Sequence, residues 1–244
     1  MRYVHKTQES DAYKLLEETK QSMRTAGINL TYDNFVEKRQ LNELLRTEQK
    51  HICCYCQQTI THHNLPTSGG SHNEHFIPEN GPHGSLEHQL DYYNLYACCN
   101  HSKDYEERLK YCGWSKHDKL IEIDLLQMRN CATLFKYNLN GEILPQCPYA
   151  SFEECKTHKE SLTKQQYLLL KAIDVLNLNV DYLKRLRRDI WSDTVIYIKG
   201  KTNRQLQNKI QLLSQPTSGK YIPMVDLVLY ILKQSIRSNR ATDL

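Results

Sequence analysis

Cys53-Cys54-Tyr55-Cys56, Glu74-His75-Phe76-Ile77-Pro78, Asn94-Leu95, Cys98-Cys99 and Cys112-Gly113-Trp114-Ser115-Lys116-His117 follow one another between residues 53 and 117. Two thiolates three residues apart on a tight turn can both reach one tetrahedral ion at about 2.3 Å, so Cys53 and Cys56 read as half of a zinc knuckle. Cys54, between them, is expected to point away. Nine cysteines is an odd number, and five of them fall between residues 53 and 99 with histidines interleaved. That clustering reads as metal binding rather than a disulfide framework. Cys131, Cys147 and Cys155 lie outside it and read as small buried hydrophobes.

Residues 61–73 form a polar stretch with glycine and proline, expected to be a loop. Its histidines, His62, His63 and His72, read as solvated. Glu74-His75-Phe76-Ile77-Pro78 differs, because apolar strand-like residues follow an acid-histidine pair and a proline ends the strand. A histidine placed there can have one ring nitrogen fixed and the other facing a water, which is what a general base needs. Residues 79–91 again read as loop, and Asp104 to Arg108 as an exposed insertion before Cys112.

Outward from this stretch the chain reads as three regions: a helical lead-in over 1–50, a core over 51–120, and a hairpin plus helices over 121–244. In the first, Ala12 to Lys20 is a helical candidate. A second helix is expected with Asn34 as cap answered by Glu37, and with Phe35, Leu41, Leu44 and Leu45 on one side. In the third, Asn140-Gly141 signals a hairpin turn within Ile121 to Ile143. Thr163 with Gln166 is a capping pair ahead of a stripe of Leu169, Ala172, Ile173 and Leu176. Asp181 is a candidate cap for the next helix, with Leu183, Leu186 and Ile190 inward and Lys184, Arg187 and Arg188 outward. A last amphipathic helix starts near Pro223 with Val225, Leu229 and Leu232 on its apolar side.

Net charge is only +4 over 244 residues, so a nucleic-acid surface must come from where charges sit. Lys116, Lys184, Arg187 and Arg188 are the candidates for backbone contact. No apolar run approaches the roughly 20 residues of a membrane helix and the N-terminus has no secretion-signal core, so a cytoplasmic protein is expected. No Gly-x-x-x-x-Gly-Lys-Ser/Thr loop for ATP is present.

The segment from Cys53 to His117 resembles the ββα-metal core of HNH endonucleases. The opening Met-Arg-Tyr-Val-His-Lys, Ile121-Glu122-Ile123-Asp124, Phe135 to Ile143 and Asp174-Val175-Leu176-Asn177-Leu178-Asn179 are similar to the PtuB-type HNH proteins of anti-phage Septu and retron systems. The resemblance implies an α+β fold: a ββα-metal core with a structural zinc knuckle, flanked by helical regions. It implies His75 as general base, Glu74 as the acidic neighbour that touches a catalytic Mg²⁺ or similar ion, and Asn94 as the brace of the histidine loop. It implies Cys53, Cys56, Cys99 and Cys112 as ligands of a structural Zn²⁺, a nucleic-acid substrate, DNA or RNA, and a PtuA-like ATPase partner. Gly113 stands where the family commonly has His, Asn or Asp, so the helix ligand is open. His117, one turn on, is the first choice; a second alignment offers Asn100 or His101, with Cys98 binding zinc. A zinc-stabilised binding or adaptor module that does not cut is the other function class. A zinc deaminase, suggested by His72-Asn73-Glu74, lacks its Pro-Cys-x-x-Cys partner.

Overall fold

Ser10 opens the first helix. Its hydroxyl accepts from the Tyr13 amide, and α1 runs Asp11–Thr25, longer than the segment expected, with Leu16 and Met23 on its buried side. α2 spans Lys38–Glu48 and buries Leu41 and Leu45. Asn34 does not cap it: its side chain donates to the Asn29 carbonyl at 3.0 Å, and the helix begins three residues after Phe35, which packs into the core from outside it.

The computed structural model describes residues 1–63 and 70–242, and their side chains except at 62, 63 and 237–242. The first sheet holds β1 (His62–His63), β2 (Gly70–His75) and β3 (Leu95–Cys99), with β1 parallel and β3 antiparallel to the central β2. Residues 70–73, expected as loop, are therefore strand. The stretch looks polar because its partners are polar: Ser71 donates to Asn42 Oδ1 at 2.8 Å, and Asn42 donates to Asn73 Oδ1 at 2.9 Å, so α2 covers that face through amides. Residues 64–69 of the expected loop, and the side chains of His62 and His63, lie outside the described residues.

The link between β2 and β3 contains α3 (Leu86–Gln89), and every residue of β3 is buried. The exposed insertion follows, as expected, and then a single helical turn, α4 (Gly113–Lys116). β4 (Phe135–Tyr137) and β5 (Ile143–Pro145) form the hairpin, a shorter one than expected, because residues 121–134 are mostly turns and single 3-10 turns. Gly141 has φ +77°, and a Cβ there would run into the Lys184 carbonyl, so the turn needs glycine twice over.

Helices complete the chain: α5 (Phe152–Thr157), α6 (Lys164–Val175), α7 (Asp181–Ile198), α8 (Asn203–Leu213) and α9 (Val225–Thr242). Thr163 and Gln166 form the expected reciprocal cap of α6. Asp181 is the first residue of α7 rather than its cap. The main apolar core includes Met1, Leu16, Leu95, Leu144 and Leu183, so all three regions contribute to it. A second cluster, with Ile52, Leu206, Val225 and Leu232, joins α8 and α9 to the cysteine turn. The architecture is mixed α+β. Among the described residues no helix is long and apolar enough to cross a membrane.

Candidate metal centre and active site

The Cys53–Cys56 turn is closed by backbone bonds from Cys53 to the Gln58 carbonyl (2.8 Å) and from Gln57 to the Cys53 carbonyl (3.1 Å), with Gln57 at φ 61°. Cys99 ends β3, and Cys112 precedes α4 with its amide on the Leu176 carbonyl at 2.9 Å. These four buried thiols lie within 4.8 Å of one another, with Cys53 to Cys112 at 3.9 Å and Cys56 to Cys99 at 3.7 Å. Four sulfurs around a tetrahedral zinc sit about 3.8 Å apart, given a bond of about 2.3 Å. The set therefore fits one closed ion and leaves no place for water. Cys54 does not point away as expected: its sulfur joins Cys53 and Cys98 in a second thiol group, also within 4.8 Å. Cys131, Cys147 and Cys155 are buried, as read.

β2 puts His72 and Glu74 on one face, opposite Cys98 and Tyr96 of β3. His72 is not solvated: its Nδ1 is 2.7 Å from Asn100 Oδ1 and its Nε2 is 3.2 Å from Glu74 Oε2, and Trp114 lies against the ring. Glu74 is buried, and its Oε1 meets the Lys116 ammonium at 3.1 Å and the Tyr55 hydroxyl at 3.1 Å. Burial alone would raise the Glu74 carboxyl, but Lys116 and His72 hold it down to about 2. His72, Glu74 and Cys98 form a third group competent for a metal ion.

Gly113 explains the packing. A Cβ at that position would overlap Glu74 Oε2 and come to 2.7 Å from His72 Nε2. The space where a helix ligand would begin is already occupied by the strand's own donors.

His75, the last residue of β2, points to the other face. Its Nε2 lies 2.9 Å from the Gln89 carbonyl, which fixes that nitrogen as the donor and leaves Nδ1 with the lone pair. Tyr32 packs edge-on at 4.6 Å, and Glu79 is 3.7 Å from Nδ1. Burial lowers the imidazole from its ordinary value, which favours the neutral ring. Asn94 ties the connecting loop shut. Its Oδ1 accepts from the Ile77 amide (2.6 Å), and its Nδ2 donates to the Ile77 and His88 carbonyls (3.0 and 2.9 Å).

Other expected positions fall elsewhere. His117 is exposed and paired with Glu107 at 3.1 Å, and the structure does not bring it together with Glu74 in any metal-competent group among the described residues. His101 joins no such group either, and Asn100 supports His72 rather than facing an ion itself. Lys116 is buried on Glu74 and the His75 carbonyl, so it cannot meet nucleic acid. Arg187 is buried too, donating to the Gly141 and Leu178 carbonyls and to Asn179 Oδ1. Lys184 pairs with Asp181 at 2.8 Å, and Arg188 is exposed. Sequence reasoning missed His72, Tyr55 and Gln89. For His72 the signal was its i, i+2 spacing to Glu74, which puts both on one strand face. No protein-family model matches this chain, and a comparison with curated proteins found no match.

Proposed function

We propose that this chain is a metal-dependent nuclease of the HNH type, with a ββα-metal core, that hydrolyses phosphodiester bonds in nucleic acid. The observation that carries the reading is His75: an imidazole with Nε2 tied to the Gln89 carbonyl and Nδ1 left as acceptor 3.7 Å from Glu79, at the end of the strand whose opposite face carries Glu74, and in a loop closed by Asn94. A phosphodiester is anionic and resists attack, so the reaction needs a deprotonated nucleophile and neutralised phosphate charge. His75 Nδ1 takes the proton of the attacking water. The Nε2 bond to Gln89 holds the ring in the tautomer that can do so and strengthens as the ring becomes cationic. Asn94 keeps the loop that carries Gln89 in register with β2. A divalent ion bound at Glu74, when present, supplies positive charge to the phosphate and the leaving oxygen. The four-thiol centre holds the Cys53 turn, the end of β3 and the start of α4 together, a structural role.

In this reading the chain is the cutting component of a cytoplasmic anti-phage system of the Septu or retron type, triggered by a PtuA-like ATPase. The second reading is a zinc-stabilised binding or adaptor module. Glu74 favours it, because Lys116 and Tyr55 already hold its Oε1 and Gly113 adds no ligand. Cleavage of plasmid DNA, single-stranded DNA and cellular RNA by purified protein separates the two, with Mg²⁺, Mn²⁺ or Zn²⁺ and with or without the ATPase. Cutting of any polymer supports the nuclease. Retention of nucleic acid without cutting under every condition supports the module.

A further inference from the structure

The bond between Asn100 and His72 fixes the protons around the third cluster. Trp114 Nε1, which can only donate, points at Asn100 Oδ1 at 3.2 Å, so that atom is an acceptor oxygen. His72 Nδ1, 2.7 Å from the same oxygen, must therefore carry a proton. In the neutral ring Nε2 then holds a lone pair, and it faces a carboxylate oxygen, Glu74 Oε2, at 3.2 Å. That contact closes in one of two ways: a second proton on Nε2 makes it an ion pair with the carboxylate, or the two atoms share a metal ion in place of that proton.

We infer that His72 Nε2, Glu74 Oε2 and Cys98 Sγ form a second metal site for a zinc-class ion, adjoining the four-cysteine centre, with Cys98 Sγ 3.8 Å from Cys53 Sγ. The distances suit it. Bonds of about 2.0 to 2.1 Å from nitrogen and oxygen to one zinc at a near-tetrahedral angle separate the two donors by about 3.3 Å, close to the 3.2 Å seen. The Cys98 sulfur lies within 4.8 Å of both and accepts the Gly113 amide at 3.3 Å, support suited to a thiolate. Asn100 holds the far ring nitrogen of His72 as the outer partner of a metal-bound histidine commonly does. Tyr55 and Lys116 hold the far oxygen of Glu74, leaving Oε2 for the ion. Gly113 is required, because any side chain there would fill the site.

The donor set also selects the ion. Imidazole and thiolate suit zinc and its neighbours, whereas Mg²⁺ takes oxygen ligands in octahedral geometry. The ion at Glu74 is then not the Mg²⁺ implied by the resemblance. Three protein donors leave a fourth position open on a tetrahedral ion, the arrangement of reactive rather than structural zinc. His72 is the partly exposed member of the cluster. This inference stands whether or not the chain cuts nucleic acid.

The test is metal content. Protein purified without chelator is expected to carry two zinc equivalents per chain, and X-ray absorption at the zinc edge to show mixed sulfur and nitrogen or oxygen ligation. His72→Ala should retain one equivalent with sulfur-only ligation. Gly113→Ala should do the same, and Asn100→Ala should weaken the second site about 10- to 100-fold while leaving the first untouched. Should one variant fail to fold, the wild-type absorption spectrum and the Asn100→Ala titration decide alone. One equivalent with sulfur-only ligation in wild type overturns the inference, as do two equivalents that survive both His72→Ala and Gly113→Ala. Two ions in a protein that cuts nothing would overturn the nuclease proposal and leave the site standing; cutting by a one-ion protein would do the reverse.

Discussion

Glu74 and Lys116 show how much one buried pair decides. The ammonium is 3.1 Å from the carboxylate and 2.7 Å from the His75 carbonyl, so one side chain both neutralises Glu74 and pins the strand end that presents His75. Removing one partner of a buried pair typically costs about 3 to 5 kcal/mol when the other charge is left unpaired. Glu74 keeps His72 and the Tyr55 hydroxyl, so Lys116→Met is expected to lose stability at the lower end of that range in urea unfolding, about 3 kcal/mol, and a loss below about 1 kcal/mol would show that Lys116 is not what neutralises Glu74. Asn94 acts differently, because its three bonds all go to backbone groups of one loop. If the chain is the nuclease proposed above, Asn94→Ala is expected to lower the cleavage rate by about tenfold or more while nucleic-acid affinity stays the same, since it disturbs where Gln89 holds His75, the proposed base, rather than what binds substrate. Equal losses of affinity and rate would contradict that role.

At the level of elements, the hairpin and α7 form one unit through Arg187. Burial lowers its guanidinium to about 10, yet it stays charged, because the Gly141 and Leu178 carbonyls and Asn179 accept its protons. Arg187→Ala strands those acceptors, each costing about 1 to 3 kcal/mol when left unsatisfied. The expected outcome is a large fall in melting temperature with no change in the salt dependence of nucleic-acid binding; a slope smaller by about one unit would mean that Arg187 touches phosphate after all. The same element shows why the charge pattern misled. Arg187 lies within a run of cations that reads as a solvated face, and nothing local to α7 reveals that a turn 46 residues away offers its carbonyls. Long-range acceptors of this kind also hid Lys116, whose partner Glu74 is 42 residues upstream. By contrast, the Cys53–Cys56 turn, the Thr163–Gln166 cap and the Asn140–Gly141 turn were legible, since each is decided within a few residues. β2 was only half legible: its end carries an apolar and proline signature, but its start is polar because amides of α2 satisfy it.

For the whole molecule, the N-terminal segment is locked to the core through a buried lysine. Lys6 lies 3.5 Å from Glu48, 3.9 Å from the centre of the Tyr92 ring and 4.8 Å from that of Tyr96. Burial lowers it from 10.5 to about 8, against the pull of Glu48. Between these values the unfolded chain holds a proton that the folded one lacks, so this residue's contribution to stability rises with pH across that window and is flat below it. A Lys6→Met variant lacks the effect, and subtracting it cancels the tyrosines and cysteines that titrate nearby. Wild type is expected to gain about 2 kcal/mol relative to Lys6→Met between pH 7.5 and pH 9.5. A constant difference across that range would place Lys6 in water. The anchoring bears on function, because Tyr92 and Tyr96 flank Asn94, whose loop positions His75.

The proposed nuclease depends on His75 as its base. Its most direct test is the rate of phosphodiester cleavage by wild type and His75→Ala, on the same polymer and with metal content and unfolding midpoint shown to match. Removing a general base lowers the rate by about 10²- to 10⁴-fold, and that loss, with nucleic-acid affinity unchanged, is the predicted result. Equal cleavage by the two proteins would contradict it and move the chemistry away from the β2 strand end.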